Sequence, residues 1–321
     1  MRNTNNNQES NGASNKEVVC FGVLSYLQLM VVDQAPVYNG GTQIQQLTDS
    51  YGDDAAIVAD MLHQFGQRTK FIPSAIGDDE LGRKVAATIK QLGVPTQVIV
   101  KPGVATVAEL SIADPSGGRT YFYQRTPDLL DTLDEADLTS LENAAYLYVD
   151  WYDGDHILRP MKAASQLGVP VFVNIESQYR NQGLLAKLAP HATMCQVSLD
   201  DSGDEPEISE DMATIAASLL DAGFKVAVVT GGSRGSVAAD ASQTIRVAAP
   251  QVAVVDGTGA GSCFSAGMIY GQIRGWTLEQ CARFATAQAS LKCSTPGFKV
   301  PSVAQGEQLS ATLNVEITSR P

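Results

Sequence analysis

The stretch "VVDGTGAGSCFSAG", residues 254–267, sets glycines at 257, 259 and 261 between an apolar run and a segment rich in small residues. With "VAVVD" (252–256) leading in, the pattern predicts a strand, a tight turn and a helix that begins near Gly259. Such a junction aims unpaired N–H groups and the positive end of a helix at one point, and glycines let an anion approach the backbone. Gly259, Ala260 and Gly261 are therefore candidates for an anion hole. Close packing of a strand-to-helix turn would call for the same small residues, so both readings stand at this point. The spacing Gly257-x-Gly259-x-Gly261 lacks the last interval of the dinucleotide fingerprint and lies late in the chain, which argues against that class.

Outward from this turn the chain alternates apolar runs with amphipathic stretches, the mark of a mostly parallel sheet covered by helices. Strands are expected at 18–24, 68–76, 144–151, 169–175, 192–198, 225–231 and 236–240, and helices at 52–66, 78–93, 209–223, 259–275 and 277–293, each helix with one sheet-facing stripe. The segment 104–127 instead alternates like a hairpin around Pro115-Ser116-Gly117-Gly118. It reads, with residues 30–50, as a lid over one edge.

The 321 residues carry a net charge of −13, which excludes a surface built to neutralise nucleic acid or anionic lipid. A small anion held by backbone amides is still compatible with that charge. Five scattered cysteines, without C-x-x-C spacing, signal neither a disulfide framework nor a zinc site, and a reducing cytoplasm is the simplest compartment. Residues 1–17 are polar and Asn-rich without an apolar core, so a disordered tail is expected rather than a secretory signal. His63, His156 and His191 stand alone, without partners at a defined spacing. "DWYDGD" (150–155) and the acidic run 200–211 read as solvated loops, with Ser209 as a helix cap.

Four segments together resemble the ribokinase/PfkB family of sugar and nucleoside kinases: 52–94 with "GDDELG", "VVTGGSRGSV" (228–237), "DGTGAGSCFSAG" (256–267) and 277–297. The resemblance spans about Val18 to Val303. It implies an α/β ribokinase-like three-layer sandwich with a mostly parallel central sheet and a small antiparallel β lid, in one domain over 18–321. It also implies ATP and Mg2+ as cofactors, a nucleotide or small metabolite as partner, and phosphoryl transfer to a sugar-like hydroxyl. Lid hairpins in this family often pair between subunits, and 104–127 has the alternation for a homodimer.

By that resemblance Thr230, Gly232, Gly235 and Asp256 belong to the nucleotide side, and Ser262 stands where the family has its general-base aspartate. Serine stays protonated at neutral pH and cannot take a hydroxyl proton as a carboxylate does. Asp53 replaces the second glycine of the family's hinge, Ile57 an acceptor-binding asparagine, and Leu27 an acidic residue aimed at the sugar. Ser198 and Asp201 align with the Asn and Glu that order magnesium-bound water, so Asp201 is a weak, indirect metal residue. Asp256, on the strand side of the turn, is too far from position 262 to replace the base without rearrangement. These departures favour a pseudokinase that keeps nucleotide or anion binding; the alternative is an active divergent kinase whose base comes from elsewhere.

Overall fold

A computed structural model describes residues 16–114, 118–199 and 210–320. The expected polar tail, the hairpin turn at 115–117, Asp201 and the Ser209 cap lie outside, or almost wholly outside, the described residues. The strands in chain order are β1 (Glu17–Gly22), β2 (Ser25–Val32), β3 (Ile44–Gly52), β4 (Thr69–Pro73), β5 (Val107–Ala113), β6 (Arg119–Gln124) and β7 (Ala144–Asp150). They continue as β8 (Val171–Asn174), β9 (Met194–Ser198), β10 (Val226–Thr230), β11 (Ser236–Ala239), β12 (Gln243–Val247) and β13 (Val315–Ser319). The helices are α1 (Asp54–Gln64), α2 (Glu80–Leu92), α3 (Pro127–Leu130), α4 (Leu158–Gln166), α5 (Gln182–Leu188), α6 (Met212–Asp221), α7 (Ala260–Ile273), α8 (Leu278–Lys292) and α9 (Val303–Ser310).

Nine strands form one sheet in the order β4-β1-β7-β8-β9-β10-β11-β12-β13. Pairing is parallel from β4 to β10 and antiparallel from β10 to β13. Because side chains alternate across a strand, the continuous apolar runs feed two cores at once. Val18 and Cys20 of β1, Tyr146 and Tyr148 of β7 and Phe172 of β8 pack with α1, α7 and α8. Val19, Phe21, Leu147, Val149, Val171 and Val173 pack with Met161, Leu185, Ile215 and Leu219 of α4, α5 and α6. The result is the expected three-layer sandwich.

Three expectations need correction. Residues 252–256 are not a strand: Val254 and Val255 are half exposed, and the amides of Val255 and Asp256 both donate to the Cys293 carbonyl at the end of α8. That helix end, rather than a ladder, satisfies this backbone. Helices α1 and α7 are buried along most of their length instead of on one stripe, since α7 lies between α1 and α8, and α1 covers β1 and β4. "DWYDGD" is not a solvated loop, because Asp150 and Asp153 are fully buried.

The second sheet has the order β3-β2-β5-β6, antiparallel except for the parallel pair β2–β5. The hairpin 104–127 thus adds its strand β5 to β2, whose other edge carries β3, all apart from the main sheet. No helix among the described residues is long and apolar enough to cross a membrane.

The small residues of α7 set its distance from α8. A Cβ on Gly267 would come 2.7 Å from Ala285 Cα, and one on Gly271 would come 2.7 Å from Cys281 Sγ. Gly267→Val is expected to destabilise the fold by about 1–3 kcal/mol through overpacking. A lowered urea midpoint at unchanged m would show it, and an unchanged midpoint would contradict the close approach of the two helices.

Candidate functional site

The carboxyl ends of the parallel strands are where open α/β sheets place ligands. Here those ends bring Gly22, Asp150, Asn174, Ser198 and Thr230 beneath the starts of α1 and α7. Gly259 caps α7 with φ +77°, and a Cβ there would press on Phe298 Cδ1 at 3.0 Å, so glycine suits both the backbone and the packing. The Ala260 amide donates to the Gly257 carbonyl at 3.1 Å. The amides of Gly261 and Ser262, in the first turn, have no intrahelical acceptor. Of the amides of Gly259, Ala260 and Gly261, that of Ala260 is already taken by a backbone carbonyl.

Two cations support this turn. Lys292, fully buried in α8, donates from Nζ to the Asp256 carbonyl at 2.8 Å. Burial pulls its pKa below the usual lysine range, with Asp256 acting in the opposite sense. Arg119 of β6 reaches over from the lid sheet and donates to the Gly257 carbonyl at 3.1 Å. Asp256 itself is committed internally: its Oδ1 accepts from the Thr258 amide at 2.8 Å and its Oδ2 from the Gly297 amide at 2.9 Å. It ties the turn to the loop after α8, and that work accounts for an aspartate here without a nucleotide.

On the strand side, Ser198 and Thr230 hydroxyls lie 3.5 Å apart, and Ser198 Oγ is the nearest atom to a Cβ built on Gly261. Gly232 and Gly235 both have positive φ, and a Cβ on Gly235 would meet the Val247 carbonyl oxygen at 2.1 Å. These glycines thus have a backbone reason as well as any ligand role. Glu176, just past β8, holds φ +50° and accepts from Asn174 Nδ2.

The start of α1 is surrounded by charges. Ser262 is 1% exposed, and its hydroxyl donates to Asp54 Oδ1 at 2.5 Å. Leu27 and Ile57 are both buried, and Leu27 stands in register beside Glu109 of β5. Asp53 takes φ +76°, a conformation that disfavours side chains and costs on the order of 1–3 kcal/mol. Its Oδ1 accepts from the Asp54 amide at 3.1 Å and so caps α1, while Oδ2 lies 2.7 Å from Arg125 Nη2, close but poorly aligned for a hydrogen bond. Arg125, just beyond β6, also stands 3.2 Å from Asp153 and 3.4 Å from Glu109. Asp153 Oδ2 accepts from the Val23 amide at 3.1 Å. Asp150 Oδ1 accepts from the Tyr152 amide, and its Oδ2 is buried without a hydrogen-bond partner among the described residues. Carboxylate atoms of Asp53, Asp150 and Asp153 lie within 4.8 Å of one another. Burial is the main force raising all four of these carboxyl groups, with Glu109 at about 7.

The structure brings Asp53, Ser262 and the glycine turn into one region, and adds to them Asp54, Glu109, Arg125, Asp150, Asp153, Asn174, Glu176, Arg119 and Lys292, which the sequence did not single out. A signal existed for some of them. Lys292 is the one charged residue of α8 after Arg283, and "DWYDGD" begins on the last residue of a buried strand. The histidines lie elsewhere, His156 beside Asp134 at 2.9 Å.

Residues 15–304 match the model of the pfkB family of carbohydrate kinases. Among curated relatives, an uncharacterized sugar kinase of Archaeoglobus fulgidus is 26% identical over 72% of this chain and 93% of its own. Fructoselysine 6-kinase of Escherichia coli is 27% identical over 67% of this chain and 79% of its own. Among solved structures, Arabidopsis thaliana ribokinase complexed with ribose and ATP superposes with a TM-score of 0.70 at 20% identity, covering 92% of this chain and 98% of its own.

Because Glu109 is raised from an ordinary 4.5 to about 7, the folded protein binds more protons than the unfolded chain between those values. Its contribution to stability is fully present below the lower value and is lost as pH rises through the upper one. Unfolding free energy is thus expected to fall between about pH 5 and about pH 8, and Glu109→Gln to remove part of that fall. Urea titrations of both proteins across this range would check it. Identical profiles would mean that Glu109 is not destabilised by its surroundings.

Proposed function

Because the chain belongs to the pfkB family of carbohydrate kinases, we propose that it transfers a phosphoryl group from ATP to a hydroxyl of a small, amine-bearing polyol. The observation that carries this reading is the surplus of buried carboxylates at the strand ends beside the amide-lined turn. Asp53, Glu109, Asp150 and Asp153 face a single guanidinium, so the site favours protons or a further cation, and an ammonium on the acceptor supplies one. The relative named for fructoselysine, a sugar joined to an amino acid, supports the same class.

In this reading the amides of Gly261 and Ser262 receive the negative charge that grows on the transferring phosphoryl oxygens, without having to reorganise. Thr230, Ser198 and the turn 231–235 flank the rest of the nucleotide. Magnesium suits the hard oxygen donors at the strand ends, with Glu176 and Ser198 as the residues to hold it or its waters. Bound there it supplies neutralising charge to the phosphates. The exposed Ile44, Leu47, Phe122 and Tyr123 on the lid sheet support pairing of two copies through that sheet.

A pseudokinase is the second reading, favoured by Ser262, Leu27 and Ile57 together. Removing a positioned base costs roughly 10²- to 10⁴-fold in rate. The two readings separate on one measurement, ADP release from Mg-ATP with fructoselysine and glucosamine set against ribose and adenosine. Turnover confined to the amine-bearing acceptors is expected. A melting temperature raised by ATP with no turnover on any acceptor would favour the pseudokinase, since a ligand at 100 times its Kd adds about 2.7 kcal/mol whether or not it reacts.

A further inference from the structure

Position 262 lacks a carboxylate, yet a carboxylate is present at its side chain. The Ser262 hydroxyl donates to Asp54 Oδ1 at 2.5 Å, a bond that joins the first turns of α7 and α1 across 208 residues of chain. An aspartate at 262 would place its oxygens one bond beyond the serine Oγ, in the space that Asp54 Oδ1 occupies. We propose that Asp54 is the general base of this protein, and that Ser262 is a positioning residue that holds it. The inference rests on the phosphotransferase reading above.

Several features fit Asp54 to the task. It is only half-buried while Ser262 is closed off, so its carboxylate is the member of the pair that an acceptor can reach. As the first residue of the eleven-residue α1 it stands at the N-terminal end of that helix, facing the first turn of α7. Hydrogen bonding by Ser262 engages Oδ1, and Asn174 Nδ2 stands 3.4 Å from Oδ2, so the carboxylate plane is steadied from both sides. The same turn of α7 offers the Gly261 and Ser262 amides, which places base and anion acceptor side by side.

The step balances without further reactants. The acceptor hydroxyl gives its proton to Asp54, which becomes a neutral carboxylic acid. The freed oxygen pair forms a bond to the γ-phosphorus. The bond from that phosphorus to the β,γ-bridging oxygen breaks, and its electron pair leaves with ADP.

The test compares wild type, Asp54→Asn, Ser262→Asp and the double variant Asp54→Ala with Ser262→Asp. ADP release from Mg-ATP is measured with fructoselysine, glucosamine, ribose, adenosine or water as acceptor, and each protein's melting curve is recorded. Asp54→Asn is expected to lower kcat by roughly 10²- to 10⁴-fold with little change in KM for ATP or in melting temperature. Ser262→Asp alone should gain nothing, because two carboxylates would then compete for one space. In the double variant, the carboxylate restored at 262 should recover at least about tenfold over Asp54→Asn. Wild-type turnover left intact by Asp54→Asn would overturn the assignment and leave the phosphotransferase reading standing. If wild type turns over no acceptor, including water, that reading fails and the assignment falls with it.

Discussion

Arg125 joins the two sheets through its ion pairs with Asp53 and Asp153, and the rest of the site depends on it. Arg125 follows the last strand of the small sheet, Asp53 lies between β3 and α1, and Asp153 follows β7 of the main sheet. One guanidinium therefore links the lid, the start of a central helix and a buried strand end. Its planar fork offers five donors in fixed directions and so can serve several carboxylates at once. The conformational cost of a side chain at φ +76° is offset where Asp53 both caps α1 and meets this cation.

Leu27 and Ser262, the two uncharged positions singled out in the sequence, each stand beside a carboxylate. Leu27 has no carboxylate, and Glu109 stands beside it in register on the neighbouring strand. Ser262 has none either, and Asp54 meets its hydroxyl from the opposite helix. In both places a carboxylate stands on an adjacent element.

These neighbours mark how far the sequence was legible. Strand runs such as "VPVFVNI" and "KVAVVTG" give the parallel sheet because burial on both faces demands continuous apolar residues, and the glycines of 256–267 give the turn because only certain backbones can bend there. "VAVVD" looks like a strand for the same compositional reason, but its amides are taken by Cys293, 38 residues or so downstream, which no local pattern encodes. The acidic cluster was hidden for a related cause. Asp53, the pair Glu109 and Arg125, and the pair Asp150 and Asp153 come from three separate segments, and "DWYDGD" read alone is indistinguishable from a solvated loop. A charge run becomes a site only when topology buries it beside a partner.

Lys292 carries a further consequence for how the glycine turn would behave in different surroundings. Its ammonium is covalently part of α8 and wholly shielded from water, so the positive charge behind the turn has a fixed local concentration that bulk ions neither raise nor lower. Screening acts on exposed charges and weakly on buried ones. The electrostatic character of this turn is thereby a property of the folded chain itself, set once at folding and largely indifferent to the ionic strength outside.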